Sequence, residues 1–197
     1  MYKPKEHHIH SAMSRFGGID KNVDYIDRNV YTNGTVTALQ HDINSEDIPK
    51  EFYEANAIYV EMSWRAGYKK FVEGSVAEGS TFKDYCQSIK RVAETLGVPT
   101  FIITNRNFLK NLQPQRTEEI VFDIYDSNDI CAIWNYDGEI PNHSDELSKL
   151  VCDTYGTVLD FCCGYGRLAD YGTKCILADI NYGCIQDIKE HYKLSVK

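Results

Sequence analysis

Residues 156–181 contain Gly156-Thr157-Val158-Leu159-Asp160-Phe161-Cys162-Cys163-Gly164-Tyr165-Gly166-Arg167 and, a few positions on, Lys174-Cys175-Ile176-Leu177-Ala178-Asp179-Ile180-Asn181. Residues 157–159 are a short β-prone apolar run. Residues 160–166 form a tight glycine-bearing turn able to bring backbone N–H groups close to a polar ligand, and residues 174–178 are a second buried-strand pattern that stops on Asp179. Strand, glycine turn, helix, strand and acid in that order are the nucleotide-binding half of an open α/β sheet, with the acid placed to accept hydrogen bonds from a ribose diol. Gly164-Tyr165-Gly166-Arg167-Leu168-Ala169 also fits the Gly-x-Gly-x-x-Ala spacing of dinucleotide sites. The stretch alone therefore leaves the ligand open.

The bulk properties narrow the frame. A chain of 197 residues, 43% hydrophobic and 25% charged, is long enough for one well-buried α/β domain and short for two. An irregular arm over residues 1–30 and a single domain over 31–197 are expected. No apolar run approaches the ~20 residues of a membrane span, and no apolar segment follows the first residues as in a signal peptide, so the expected location is cytoplasmic with no membrane partner. Seven cysteines, an odd number without paired spacing, point to reduced buried thiols in a reducing compartment. A net charge of −8 opposes autonomous gripping of a phosphate backbone. His7, His8 and His10 lack a cysteine or carboxylate at ligand spacing, and no metal site is assigned.

Working back along the chain, residues 35–40 form a candidate strand ending at His41-Asp42, and residues 48–53 suggest a short helix or turn on the sheet. Residues 57–60 are a compact buried strand stopped by Glu61-Met62-Ser63-Trp64. A loop with Gly67, Gly74 and Gly79 and with Lys69 and Lys70 follows, too long for a simple connector. Thr81 and Asp84 have capping-box spacing. Phe82, Tyr85, Ile89, Val92, Ala93 and Leu96 share one helical face, and Gly97 is the stop. Residues 100–104 read as a buried strand. Residues 119–124 and 130–134 read as a hairpin closed by Asp126-Ser127-Asn128-Asp129. Pro141-Asn142-His143 is an extended link, after which Ser144 is expected to cap a helix with Asp145 and Glu146 in its first turn. A last helix over 182–192 presents Ile185 and Ile188 to the sheet.

In this order the parts resemble the S-adenosylmethionine-dependent amino-methyltransferases of DNA, which act on the exocyclic amine of adenine or cytosine. The likeness is to the circularly permuted group, in which the catalytic half comes first, and it spans residues 35–192. Val158-Leu159-Asp160-Phe161-Cys162-Cys163-Gly164-Tyr165-Gly166 matches the glycine motif, with Phe161 where a proline is usual. Asp179-Ile180-Asn181 matches the acidic motif. His41-Asp42 matches a Gly-Asp pair flanking the cofactor's adenine, and residues 141–151, with Asn142 and His143, match the link and helix before the glycine turn. Glu61-Met62-Ser63-Trp64 takes the place of the catalytic Asp/Asn-Pro-Pro-aromatic tetrapeptide, with Glu for Asp or Asn and neither proline. The segment between Gly166 and Lys174 is about one turn short of the usual helix.

The resemblance implies a Rossmann-like, seven-stranded methyltransferase sheet, mostly parallel with an antiparallel hairpin and circularly permuted, its catalytic half over residues 31–135 and its cofactor half over 140–197. It implies S-adenosylmethionine as cofactor, held by His41, Asp42, Asn142, His143, Asp160, Phe161, Cys162, Cys163, Gly164, Gly166, Asp179, Ile180 and Asn181. Glu61 would accept a hydrogen bond from the target amine and Trp64 would stack on the base. The reaction implied is methylation of a base amine, most readily N6 of adenine in DNA. Arg65, Lys69, Lys70, Arg106 and Lys110 are the candidate contacts to nucleic acid, few enough on an acidic chain to suggest weak sequence readout or help from a partner subunit or second copy. The atypical tetrapeptide also admits a non-catalytic binding or regulatory subunit, and the acidic charge admits an RNA or small-molecule substrate.

Overall fold

The computed structural model describes residues 29–62, 79–123 and 126–197. Ser63, Trp64, Arg65, Lys69, Lys70 and the three N-terminal histidines lie outside them. Nine strands form one sheet: β1 (Val30–Thr32), β2 (Val36–Gln40), β3 (Ala57–Glu61), β4 (Thr100–Thr104), β5 (Arg116–Phe122), β6 (Ser127–Trp134), β7 (Thr157–Asp160), β8 (Lys174–Asp179) and β9 (Ser195–Val196). The helices are α1 (Phe82–Leu96), α2 (Leu109–Leu112), α3 (Ser144–Thr154) and α4 (Tyr182–Tyr192). Across the sheet the order is β5-β6-β4-β3-β7-β8-β2-β1-β9, so two strands from late in the chain separate β3 from β2.

The expected seven strands are nine, because Val30–Thr32 and Ser195–Val196 add an antiparallel pair outside β2. Strands of three and two residues are too short to show a period in sequence. Nor do parallel pairings predominate. The central strands β4, β3, β7, β8 and β2 make four parallel pairings, and the flanks make four antiparallel ones. The sheet is mixed.

Both faces of the sheet are covered. On one face α1 lays Tyr85, Cys86, Ile89, Val92 and Ala93 against Ile58, Val60, Ile102 and Leu159, with Phe52 of the 3-10 turn Lys50–Glu54 among them. On the other, Leu147 and Val151 of α3 and Ile185 and Ile188 of α4 cover Ala57, Tyr59, Val158, Cys175 and Leu177. The ends of α1 follow from local chemistry. Thr81 accepts from the Asp84 N–H, Asp84 accepts from the Thr81 N–H, and Gly97 takes a left-handed φ of 64°. All seven cysteines are free thiols, and no described helix is long and apolar enough to cross a membrane.

This layering fixes the functional edge. The connection leaving β3 leads to α1 on one face, while the one leaving β7 places Leu168 and Ala169 on the other. Adjacent strands whose connections depart on opposite faces leave a crevice beyond their carboxyl ends, where open α/β sheets bind ligands.

Three local expectations are corrected. The hairpin is not closed by residues 126–129, because Phe122 pairs with Ser127 and the polar residues Ser127, Asn128 and Asp129 belong to β6. The segment after Gly166 is a five-residue 3-10 turn, Arg167–Tyr171, and not an α-helix. Ser144 is also not the cap of α3. It is the first helical residue, after an N-cap His143 whose side chain does not bond the helix's N–H groups. The cap comes from the hairpin. Asp123 accepts from the Asp145 N–H at 2.9 Å and from the Ser144 hydroxyl at 3.1 Å, and it pairs with His143 Nδ1 at 2.8 Å. Burial pushes the Asp123 carboxyl up, but the bonds from Asp145, His143 and Ser144 outweigh it and hold the group below the usual carboxylate range.

Replacing Asp123 with Ala should therefore lower stability by about 1–2 kcal/mol at neutral pH, read from urea denaturation midpoints. Because the folded pKa is depressed, the deficit should shrink as pH falls below about 4, where the unfolded carboxyl also takes up its proton.

Candidate active site

At the carboxyl end of β7, Asp160 folds back to accept from the Cys162 N–H at 3.1 Å. The Cys163 N–H donates to the Ala178 carbonyl at 3.1 Å, the Gly164 N–H to Asp179 Oδ2 at 2.9 Å and the Gly166 N–H to the Cys163 carbonyl at 2.8 Å. The N–H groups of Cys162, Cys163, Gly164 and Gly166 are thus committed to the turn's own acceptors and to β8. Gly164 and Gly166 both adopt left-handed φ, 51° and 74°. A Cβ on Gly166 would lie 2.7 Å from Leu177 Cδ1 and 3.2 Å from Ile188, so this glycine is set by the turn's packing on β8 and α4; among the described residues a Cβ on Gly164 meets nothing within 4 Å.

The flanking side chains mostly turn inward. Phe161 is buried and stacks on Phe52 at 6.4 Å between centroids, so it offers the crevice backbone and not a ring. Cys163 joins the α3/α4 face of the core. Cys162 is half-buried, with its sulfur 2.9 Å from the Tyr85 hydroxyl.

Asp179 ends β8 beside the turn. Its Oδ1 accepts from the Asn181 N–H at 2.8 Å and its Oδ2 from the Gly164 N–H at 2.9 Å. Burial pushes its carboxyl up to about 6 against the pull of the Asn181, Gly164 and Ile180 N–H groups. Asp160 is likewise raised well above the usual range, by burial first and by the nearby Glu61 and Asp179 charges. Asn181 caps α4 through the Cys184 N–H, and Ile180 is a core residue whose carbonyl accepts from Gln40 Nε2 at 3.1 Å. Beyond β2, the His41 N–H donates to the Asp179 carbonyl at 2.9 Å while its ring sits edge-on to Phe52. Asp42 accepts from the Asn44 N–H at 2.9 Å in a local turn.

Glu61 ends β3, the next strand in the sheet after β7. Its Oε1 accepts from the Tyr59 hydroxyl at 2.7 Å and from Arg167 Nη2. The same guanidinium gives Nη1 to Asp145 Oδ1, and the Tyr59 hydroxyl also lies 3.0 Å from the Ser144 carbonyl. Arg167 thus ties the glycine turn, the end of β3 and the start of α3 together, with 11% of its side chain exposed. Burial opposes its charge, but Glu61, Tyr59, Tyr171 and Asp145 hold its pKa well above the ordinary value. Burial likewise pushes the Tyr59 hydroxyl up.

The remaining candidates are spread around this centre. Met62 is a core side chain whose N–H pairs with the Ile103 carbonyl. The Asn142 carbonyl accepts from the Val121 N–H, and His143, its imidazole raised by the hydrogen bond to Asp123, faces the hairpin. Arg106 and Lys110 are exposed after the end of β4, Arg106 paired with Glu119 at 2.7 Å. Among the described residues no group of three or more His, Cys, Asp or Glu could hold a metal ion.

No family model and no curated protein matches the chain. Solved structures do. That of M1.HpyAVI aligns at 13% identity over 80% of this chain and 98% of its own, with a TM-score of 0.51, and the M1.HpyAVI–SAM complex aligns at 12% identity over 79% and 98%, with a TM-score of 0.46. The fold is similar to a methyltransferase fold.

Sequence reading missed Tyr59, Asp145, Arg167 and Gln40 as members of the site. Tyr59 carried a signal, since residues two apart on a strand share a face and Tyr59 therefore lies beside Glu61. Arg167 carried only its position after a glycine turn.

The two glycines should separate in mutation. Gly166→Ala adds a buried clash to the left-handed strain and should destabilise by about 2–4 kcal/mol, whereas Gly164→Ala carries the strain alone, about 1 kcal/mol. Denaturant midpoints of the two variants check the order.

Proposed function

We propose that this protein is an S-adenosylmethionine-dependent methyltransferase acting on the exocyclic amine of a nucleic-acid base, most readily N6 of adenine in DNA, with its catalytic half preceding its cofactor half as in the permuted family. The observation that carries this reading is the adjacency of β3 and β7, which sets Glu61 next to the glycine turn and Asp179 at one carboxyl edge.

The turn's chemistry favours this cofactor over a dinucleotide. A pyrophosphate needs free N–H donors at the start of a helix. Here the N–H groups of Cys162, Cys163, Gly164 and Gly166 have internal acceptors, and a five-residue 3-10 turn follows. The Glu61, Asp145 and Arg167 cluster keeps a net negative charge beside the turn, which repels a pyrophosphate and suits a sulfonium. The space over Gly164 among the described residues and the Asp179 carboxylate at the end of β8 fit an adenosyl group with its ribose diol. When bound, the cofactor supplies an electrophilic methyl group. Glu61 then accepts a hydrogen bond from the amine and orients its lone pair. Ser63 and Trp64 complete the tetrapeptide, and Arg65, Lys69, Lys70, Arg106 and Lys110 serve as contacts to the phosphate backbone. The net charge of −8 places part of the DNA affinity on a partner subunit or second copy.

A second reading, a cofactor-binding subunit without turnover, draws on the commitment of Glu61 Oε1 to Arg167 and Tyr59. Mass spectrometry separates the two. Nucleosides from DNA incubated with protein and labelled cofactor should carry methyladenine, lost in Glu61→Ala; absence of label from any nucleic acid leaves the second reading.

Calorimetry should show binding of S-adenosylhomocysteine but not NAD, abolished in Asp179→Ala. Because Asp179 must be ionised to accept from the ribose diol and its carboxyl sits at about 6, affinity should level off above about pH 7. Below it, affinity should fall with a limiting slope of about one decade per pH unit.

A further inference from the structure

We infer that Arg167 is a positioning residue: with Tyr59 it holds Oε1 of Glu61 so that Oε2 is the acceptor presented to a substrate amine, an inference that rests on the transferase reading above. Glu61 differs from the family's Asp or Asn by one more rotatable bond, and Met62 and Ser63 stand where two prolines would fix φ. An unrestrained carboxylate there would wander over more than the roughly 0.5 Å that a positioned group tolerates. The structure supplies restraint from another direction. Oε1 takes both hydrogen bonds, from Tyr59 and Arg167, and among the described residues Oε2 takes none. Oε2 is not among the sealed-off polar atoms lacking a partner, and the side chain keeps 15% of its surface exposed. A contact that merely blocked the site would cover both oxygens. This one fixes the carboxylate and leaves an oxygen open.

Charge and anchoring agree with the assignment. Two carboxylates, Glu61 and Asp145, share one guanidinium, so the cluster keeps a net negative charge next to a nitrogen that turns positive as it forms its fourth bond, until it releases a proton. Arg167 follows Gly166, whose backbone is pinned against Leu177 and Ile188, so the turn assigned to the cofactor and the group assigned to the substrate are joined through one side chain.

The test compares wild type, Arg167→Lys, Arg167→Met, Tyr59→Phe, Glu61→Gln and the double variant Glu61→Gln/Arg167→Met. Three quantities are measured: methyl transfer from labelled S-adenosylmethionine to unmethylated DNA, S-adenosylhomocysteine affinity by calorimetry, and nitrogen NMR of the arginine side chains without cofactor. Arg167→Met should lower kcat by about 100-fold, with KM for the cofactor and the calorimetric affinity little changed. Arg167→Lys should restore part of the rate, and Tyr59→Phe, which removes one hydroxyl, should lower kcat by less. In the Glu61→Gln background Arg167→Met should have no further effect, which a role in folding alone would not produce. An immobilised guanidinium should give resolved signals in cofactor-free wild type and lose them in Glu61→Gln. Full or raised kcat in folded Arg167→Met, or in Tyr59→Phe and Arg167→Lys together should Arg167→Met not fold, overturns the positioning role alone. Wild type that binds S-adenosylhomocysteine yet transfers no methyl overturns it together with the transferase reading.

Discussion

The pairing of β3 with β7 is the contact on which the rest of this molecule depends. Ala57 lies opposite Val158 and Ile58 opposite Leu159, joining stretches of chain far apart in sequence by a short parallel ladder. Such a ladder has little local help. Closing so long a loop is entropically expensive before any contact offsets it, and the compensation comes from apolar cover on both faces: α1 with Phe52 on one, α3 and α4 on the other. Once the two strands are adjacent, Glu61, the glycine turn and Asp179 meet without further adjustment, because parallel strands bring all their carboxyl ends to one edge.

What the sequence revealed, and what it hid, divides along that line. Elements set by neighbours in sequence were legible: α1 through Thr81, Asp84 and Gly97, β4 through its unbroken apolar run, and β7 and β8 around the glycine turn. The adjacency of β3 and β7 followed from the resemblance, but several caps, edge strands and side-chain ties between distant residues did not. Ser144 has the chemistry of a cap, yet its hydroxyl is spent on Asp123, which reaches α3 from a hairpin turn. β1 and β9 exist because β2 had an open edge to fill. Arg167 looked like filler in a glycine motif, since its partners Glu61 and Asp145 lie on other elements.

The carboxyl edge is also an electrostatic compromise. Asp160 and Asp179 are both raised by burial, and the Asp179 charge adds to the cost of ionising Asp160, while Arg167 is the cation that Glu61 and Asp145 share. Burying charge in this way contributes little net stability and fixes geometry instead.

The outermost strands bear on how anything attached to this fold would behave. Val30 sits opposite Leu39, the penultimate residue of β2, and the Lys197 N–H donates to the Val30 carbonyl at 2.9 Å. Residue 29 and residue 197 therefore lie side by side at the edge of the sheet where the carboxyl ends of the central strands fall. A module tethered at either point would be held near the mouth of the site at a high effective concentration, set by linker length and not by its own affinity.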